Sequence, residues 1–497
     1  MSLLKKLAGE TAIYGISSIL SRLLNWVVLT PYFTRIFAPQ EYGVVSELYA
    51  WIALLLILFT YRMETAFFRF GRKPEELTRT FSTASISLLI STFVFTGILL
   101  LLAQPIATWL KYPDHPDYLI WFLLIVALDA LAAIPFARLR LQNRPMRFML
   151  LKTLGIIVNI IFVFFFFEAC PWLIQQGWTW ISSIYDAENR LAYVFIANFV
   201  ASLITLLLLL PYYFKIKLEF DRSLLNKMVW YALPLVLSGV AGIVNQFIGI
   251  PLLKELASND LAYNKAQMGI FGAASKIAVL LNLFTQAFNY AAEPFFFRHA
   301  DRDDSKIIYA QVAQAFAIVG SIAILGILLY MDIIQYFIGA AYREGLGIVP
   351  ILLIANLFLG LYYSVSIWFK LADRTRVGGW ISLVGSIITI LVNLIFIPVL
   401  GYYAPAWAAL ACYGFMLAAC WALGQKYYPI DYPVGRILLY VGLIILFYLV
   451  SIYTRTIIND ALWLVLFTNT GLFLLFVFIL YRIERKGLLQ ALRTSKS

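Results

Sequence analysis

The feature that most constrains the fold is a series of long apolar stretches that recurs along the whole chain. Each has about 20 residues and is bounded by Lys/Arg or Pro/Gly clusters. A stretch of this length crosses a bilayer as an α-helix, because a helix makes its backbone hydrogen bonds within the segment. The predicted spans lie near residues 11–34, 43–68, 81–103, 117–137, 148–167, 191–213, 229–251, 267–295, 307–330, 348–369, 378–399, 404–424, 435–453 and 461–481.

The composition excludes a soluble globular protein. Hydrophobic residues make up 62% and charged residues 13% of the 497 residues, whereas soluble domains have roughly 45–50% and about 25%. The first span is expected to stay as a helix, because Arg22 and Asn25 interrupt the apolar core that a signal peptide needs. The longest break, about residues 168–190, is too short for an enzyme domain and reads as a Trp-rich interfacial loop. We therefore predict an all-α polytopic membrane protein of about 14 transmembrane helices.

Positive charge alternates from loop to loop and predicts the orientation. With both termini and every second loop on one side, that side holds 28 Lys and Arg residues and the other side holds 7. This bias places both termini in the cytoplasm. The net charge of +12 is then explained by topology and by attraction to anionic headgroups, and no nucleic-acid partner is expected.

Metal and redox chemistry are not indicated by the cysteines and histidines. The chain has three cysteines and two histidines, and no two of them have the spacing of metal ligands. We expect neither a metal site nor a disulfide framework.

One apolar span is repeated in the second half of the chain. Residues 42–69 align without a gap with residues 271–298 at a constant offset of 229, with nine identities in 28 positions. Both copies end in Glu-x-x-Phe-Phe-Arg and run in the same predicted direction. Matching halves of a membrane protein indicate two lobes that move about a shared central site. We predict that helices 43–68 and 268–295 superpose about an axis near the membrane normal.

The repeat also predicts the domain organisation. Two pseudo-symmetric six-helix lobes would enclose a central cavity, and the last two spans would form an appended hairpin. The predicted boundaries are 1–217 for the first lobe, 218–427 for the second, and 428–497 for the hairpin with its cytoplasmic tail.

Two basic residues lie deep within predicted spans. Arg22 is about ten residues from either end of its span and continues a polar stripe with Asn25. Lys276 in span eight lies beside a stripe that includes Asn282 and Gln286. A charge at this depth costs roughly 2.5–3.5 kcal/mol, so it usually faces a bundle interior or a water-filled cavity. Either residue could line a substrate cavity or pair with an acid to hold helices together.

The acids within spans have similar alternatives. Glu47 and Asp129 could pair with Arg22 or Lys276, and Asp129 should be protonated, paired or hydrated. Glu64 and Glu293 each precede an arginine by five residues, which favours an interfacial ion pair or a helix-to-loop contact over a proton site. Arg62 is close enough to the inner surface to extend its charge to the headgroups.

Several sequence motifs resemble one family of bacterial membrane proteins. They are Leu7-Ala-Gly-Glu-Thr-Ala-Ile-Tyr-Gly15, the Leu29–Gly43 segment with its Arg-Ile-Phe-Ala-Pro-Gln-Glu-Tyr-Gly end, Leu128-Asp-Ala-Leu, Pro135-Phe-Ala-Arg-Leu-Arg140, the loop from Arg144 to Arg147, and Gly401-Tyr-Tyr-Ala-Pro-Ala-Trp-Ala408. Together they closely resemble polysaccharide-biosynthesis membrane proteins of the O-unit flippase type, over essentially the whole chain. The resemblance implies the multidrug/oligosaccharidyl-lipid/polysaccharide exporter fold, with two extra helices as in lipid II flippases, and a place in the bacterial cytoplasmic membrane.

The resemblance further implies the function. The expected activity is the transfer of a polyprenyl-diphosphate-linked oligosaccharide between leaflets, without covalent chemistry or a bound cofactor, and with H⁺ or Na⁺ as candidate coupling ion. Expected partners are membrane lipids and the glycosyltransferases and polymerase of the same pathway. A multidrug antiporter, a lipid II-type flippase and a polytopic glycosyltransferase or polymerase are the alternatives.

Lipid II flippases use basic residues on helices one, two and eight, where this chain has Arg22, Arg62 and Lys276. The predicted cavity residues are Arg22, Asn25, Arg62, Lys276, Asn282 and Gln286. The candidates for ion coupling or gating are Glu47, Glu64, Asp129 and Glu293.

Overall fold

The fold is known from a computed structural model that describes residues 23–142, 144–214, 216, 219–298, 303–372, 374–458 and 461–494. The regular structure of these residues is helical, and no strand occurs among them. Thirteen of their helical segments are long and apolar enough to cross a membrane. These match the second to fourteenth predicted spans, and residues 23–36 form the described part of the first. The predicted all-α polytopic class is therefore confirmed.

The helices are numbered along the chain. Up to residue 256 they are α1 (23–36), α2 (Pro39–Thr60), α3 (Met63–Phe70), α4 (Pro74–Leu101), α5 (Ala103–Trp109), α6 (Pro116–Leu141), α7 (Pro145–Phe164), α8 (Cys170–Gln175), α9 (Ala192–Tyr213), α10 (Arg222–Phe247) and α11 (Gly249–Leu256). A π-helical turn, Phe165–Ala169, joins α7 to α8. The remaining helices are α12 (Leu261–Arg298), α13 (Ser305–Leu329), α14 (Met331–Ile334), α15 (Val349–Val365), α16 (Ile367–Leu371), α17 (Thr375–Leu400), α18 (Tyr403–Tyr427), α19 (Val434–Ile457) and α20 (Leu462–Thr494).

Proline sets the start of several membrane-spanning helices. The proline nitrogen carries no hydrogen, and the first helical position is where a backbone N–H would have no acceptor within the helix. Helices α2, α4, α6 and α7 begin in this way. Helix α10 begins instead with Asp221, whose carboxylate accepts hydrogen bonds from two backbone N–H groups of the first turn. Local sequence thus fixes these boundaries before any tertiary packing.

The chain divides into two compact units, one up to residue 269 and one from residue 270 onward. The core of the first unit includes Phe67, Phe81 and Phe136, and that of the second is formed around Trp368 and Met416. The division falls inside α12. Compactness and internal repetition are different criteria, so the predicted boundaries 1–217, 218–427 and 428–497 stay a prediction.

Polar contacts between loops agree with the alternating topology. We call the helix ends outer and inner after the predicted orientation. The contacts at the outer ends are Glu41 with Arg190, Asp117 with Asn189, and Asp332 with Arg455. Those at the inner ends are Asp221 with Arg79, and Glu484 with Arg436. Each pair joins segments that the charge distribution assigns to one side, as the predicted order of crossings requires.

Helices α19 and α20, the predicted C-terminal hairpin, pack on α13. Toward the inner end, the buried Glu484 carboxylate accepts hydrogen bonds from Gln314 Nε2 at 2.7 Å and from the Tyr440 hydroxyl. Toward the outer end, Asn469 Nδ2 donates to the backbone oxygen of Leu329 at 2.7 Å. The hairpin is therefore held to α13 by polar contacts at both ends.

The orientation can be tested at the 168–190 loop, where Gln176 is exposed. We expect Gln176→Cys to react with a membrane-impermeant thiol reagent in right-side-out vesicles. The three native cysteines are buried and should not react with the reagent. Labelling of Gln176→Cys in inverted vesicles alone would contradict the predicted orientation.

Candidate functional site

A buried ion pair lies near the outer end of the first unit. The Glu47 carboxylate of α2 accepts from the Lys254 ammonium of α11. Their side chains are 0% and 2% exposed. Removing two charges from water is expensive, and the attraction offsets this only where further hydrogen bonds satisfy the remaining atoms.

Those further hydrogen bonds are present. Lys254 Nζ also donates to the backbone oxygen of Leu110 at 2.9 Å. Glu47 accepts from the Tyr112 hydroxyl and from Trp51 Nε1, the latter at 3.3 Å. Burial and the neighbouring Glu47 carboxylate raise the pKa of Tyr112 well above its ordinary value, so this hydroxyl remains a donor. The pair is thus part of a satisfied network.

A second lysine completes this group. Lys265 Nζ lies 4.7 Å from the centre of the Tyr112 ring, and Lys254 Nζ lies 4.9 Å from it. Both are within the range of cation–π attraction. We call Glu47, Tyr112, Lys254 and Lys265 the outer ion-pair cluster. It joins α2 and the 110–112 segment to α11 and the start of α12.

The same helices approach closely at two glycines. A Cβ on Gly43 would lie 2.1 Å from the backbone oxygen of Lys265, and one on Gly269 would lie 1.9 Å from that of Pro39. No side chain fits at either position, so α2 and the first turns of α12 touch backbone to backbone. The outer ion-pair cluster lies beside this contact, since Lys265 belongs to both.

The first copy of the repeat, residues 42–69, is not one continuous helix but is divided into α2 and α3. Tyr61 and Arg62 have φ values of 33° and 54°, in the left-handed region that non-glycine residues rarely adopt. They separate α2 from α3. The aligned residues 290–291 continue within α12 without a break. The two copies therefore differ in backbone conformation, and their predicted superposition over the full length stays a prediction.

Two predicted site residues, Arg62 and Glu64, lie at or next to this break. A Cβ on Gly239 would lie 2.6 Å from Arg62 Nη2, so the Arg62 guanidinium rests against the α10 backbone. Glu64 Oε2 is buried and accepts no hydrogen bond from the residues that the structure describes. Glu64 and Arg69 do not form the expected ion pair, and Arg69 stacks 4.4 Å from the Tyr231 ring instead. Residues five apart on a helix do not share a face, which explains the difference.

Asp129 lies within the first unit and contacts other residues than those of the outer ion-pair cluster. Its Oδ1 accepts from Ser202 Oγ at 2.8 Å, and Lys152 is close enough to attract it electrostatically. In the same group of helices, the Tyr49 hydroxyl accepts a hydrogen bond from Asn198 Nδ2 at 3.0 Å. Asp129 is thus hydrogen-bonded, as a carboxyl group within a span must be.

Three predicted cavity residues lie on the part of α12 that belongs to the second unit. Gln286 Nε2 donates to Asn282 Oδ1 at 2.7 Å, one helical turn away. Lys276 is partly buried and lies nearly two helical turns before Asn282. Asn282 and Gln286 thus lie on one face of α12, and their role as cavity residues, like that of Lys276, stays a prediction.

The last three predicted site residues are Arg22, Glu293 and Asn25. Arg22 and the side chain of Glu293 lie outside the described part of the chain, and Asn25 is exposed on α1. Among the described residues, no group of three or more His, Cys, Asp or Glu side chains could hold a metal ion.

Sequence reasoning found Glu47 but missed its partners. The charge distribution assigns Lys254 to an outer loop without a partner, and nothing in the sequence marks Tyr112 as a partner of Glu47. A signal did exist for Lys254: an acid buried near the outer end needs a cation at that end, and only seven were predicted there.

Comparisons with known proteins identify a matching family model and several similar folds. A family model described as "Polysaccharide biosynthesis protein" matches residues 7–300. No match was found among curated proteins. The fold is similar to that of the lipid II flippase MurJ in an inward closed conformation, with a TM-score of 0.72 at 15% identity, over 94% of this chain and 98% of that chain.

Two further structures belong to the MOP superfamily. An inward-facing multidrug resistance MATE family transporter has a TM-score of 0.61 at 14% identity, over 88% of this chain and 96% of that one. A transporter from Pyrococcus furiosus, whose binding pocket is described as having reverse polarity, has a TM-score of 0.52 at 12% identity, over 84% and 94%. At these identities the likeness establishes the fold alone.

Proposed function

We propose that this chain, which belongs to the polysaccharide biosynthesis protein family, is a flippase for a polyprenyl-diphosphate-linked oligosaccharide. The observation that carries the proposal is the family match combined with a membrane-transporter fold along nearly the whole chain. The cargo has a bulky sugar and two phosphates. Fixed positive charges inside the membrane would replace the water that these phosphates lose.

Arg22, Arg62 and Lys276 are the proposed phosphate-binding residues. The deep basic charges favour an anionic cargo over the cationic drugs of a multidrug antiporter, which call for acidic cavities. A lipid II-type cargo carries the same diphosphate and remains the alternative. The reaction needs no bond to be formed or broken, so the proposed role is transport rather than catalysis.

Alternating access would require the outer ion-pair cluster to open. In the structure it holds α2 and the 110–112 segment against α11 and α12. The predicted lobe boundary lies between these two groups of helices. We infer that outer closure depends on the Glu47–Lys254 pair, and that release of a cargo to the outer leaflet separates it. The proposed driving force is the membrane potential or a gradient of H⁺ or Na⁺, with Glu47, Glu64, Asp129 and Glu293 as candidate ion sites.

The proposal predicts the effect of removing the deep charges. Arg22→Ala or Lys276→Ala should reduce transport by about 10- to 100-fold, because each would lose charge-assisted hydrogen bonds to phosphate. Arg22→Lys should retain partial activity, since charge survives without the bidentate geometry. The measurement is surface polysaccharide produced by a strain whose own flippase is deleted, with protein amount determined in the same membranes.

Arg35→Ala is the matched control, because Arg35 is an exposed arginine at the outer end of the same predicted span. It should transport normally. Full transport by a double Arg22→Ala, Lys276→Ala variant would show that the two charges are structural, and the proposed phosphate site would be withdrawn.

A further inference from the structure

Basic side chains at the inner end of the first unit rest on aromatic rings. The Arg138 guanidinium carbon lies 4.1 Å from the centre of the Phe81 ring, and Lys152 Nζ lies 4.4 Å from that of Phe136. Both rings belong to the buried core of this unit. Cation–π contact positions a cation without neutralising it, so the Arg138 charge can still attract an anion.

Arg138 has hydrogen-bond donors that nothing satisfies. Its Nε and Nη1 atoms are buried and have no partner among the described residues. Leaving a charged donor without a partner carries a desolvation penalty. The like charge of Arg144 acts on Arg138 as well, which adds repulsion. One anion bound beside these arginines would relieve the repulsion.

The neighbouring acids do not supply that anion. Arg144 and Arg147 are exposed, and in the described part of the chain neither they nor Arg138 form an ion pair. Asp221, at the same inner end, is already paired with Arg79.

An exposed apolar stripe begins directly beside these charges. Helix α7 starts one residue after Arg144 and presents side chains at steps of four, four, three and four, which keep to one helix face. These are Met146, Leu150, Leu154, Ile157 and Ile161, which are 53%, 61%, 40%, 40% and 57% exposed. A cationic group at the membrane surface followed by a continuous apolar face matches a phosphate headgroup followed by acyl chains.

We propose that Arg138, Arg144 and Arg147, which we call the inner basic cluster, bind the phosphate headgroup of an anionic phospholipid whose chain lies along the exposed stripe of α7. Arg144 and Arg147, whose side chains are exposed, donate to the phosphate oxygens. Arg138, held against the Phe81 ring, adds its positive charge behind them. The stripe distinguishes a lipid from a free phosphate, because a free phosphate would gain nothing from Leu150.

The test is binding of phosphatidylglycerol and phosphatidylcholine with identical chains to the purified full-length protein, followed by native mass spectrometry. We expect phosphatidylglycerol to be retained preferentially. Arg144→Gln and Arg147→Gln should each weaken its binding by about five-fold, the amount typical of one basic residue near an anionic surface. Both side chains are exposed, so the fold should be kept, and an unchanged melting temperature would verify this. Arg35→Gln removes the same charge elsewhere and should bind as the wild type does.

Two further measurements separate the sources of phosphate. Leu150→Gln should weaken phosphatidylglycerol binding without affecting inorganic diphosphate. Equal retention of both lipids by the wild type would overturn the proposal. Displacement of phosphatidylglycerol by millimolar inorganic diphosphate would also overturn it, since the cluster would then bind phosphate from any source, the cargo included.

Discussion

Replacing Lys254 by Met should destabilise the protein by about 3–5 kcal/mol, because Glu47 would then be left buried without its counter-charge. Glu47 is fully buried, so water cannot replace the ammonium group. The Tyr112 hydroxyl and Trp51 Nε1 would remain as donors, but neither carries a positive charge. Thermal unfolding in detergent, with the wild type measured in parallel, gives the size of the effect.

The neighbouring residue Lys111 provides a matched control. It forms an ion pair with Glu255 at 2.7 Å, but both side chains are nearly half exposed. Lys111→Met should therefore cost only about 0–1 kcal/mol. A double Glu47→Gln, Lys254→Met variant should recover much of the stability, because no unpaired charge is then buried. If Lys254→Met were as mild as Lys111→Met, the outer ion-pair cluster would not be a closed network in the native protein.

Replacing Gly269 by Ala should also destabilise the protein strongly, although it adds only one methyl group. The new Cβ would lie 1.9 Å from the backbone oxygen of Pro39, and backbone cannot yield as a side chain can. Helices α2 and α12 would have to separate, at a cost at or above the usual ~1–3 kcal/mol of overpacking. The separation would also stretch the contacts of Lys265 beside it. We expect a lower melting temperature together with a loss of transport.

Gly97→Ala and Gly242→Ala are the controls, since a Cβ at either position meets no atom within 4 Å. In a helix this change removes backbone freedom from the unfolded chain, so it should be neutral or slightly stabilising. If Gly269→Ala unfolded at the same temperature as these two variants, the backbone contact between α2 and α12 would be absent in the membrane.

The helices could be predicted from the sequence because their signal is local. A run of apolar residues and a proline at its start are enough to place a span within a few residues. The pairing of Glu47 with Lys254 could not be predicted, because these residues are 207 apart in the chain. Their contact depends on how α11 turns back toward α2, and a hydropathy pattern carries no information on that.

The break between α2 and α3 is a second feature that the sequence does not predict. Tyr61 and Arg62 are neither glycine nor proline, so nothing in the sequence marks the change of backbone conformation. Their left-handed φ values exist only because the surrounding packing imposes them. The same packing places Arg62 against Gly239. Only tertiary structure reveals that one copy of the repeat is broken while the other is continuous.

The attachment of the C-terminal hairpin to α13 has a practical consequence for single-molecule spectroscopy. Because Glu484 and Asn469 fix the hairpin near its two ends, a fluorophore on the hairpin would report the displacement of α13 without occupying a position on α13 itself. Trp463, at the outer end of α20, is 83% exposed and offers an attachment point clear of these contacts. Energy transfer from that position to a dye in the first unit would follow the transport cycle in real time.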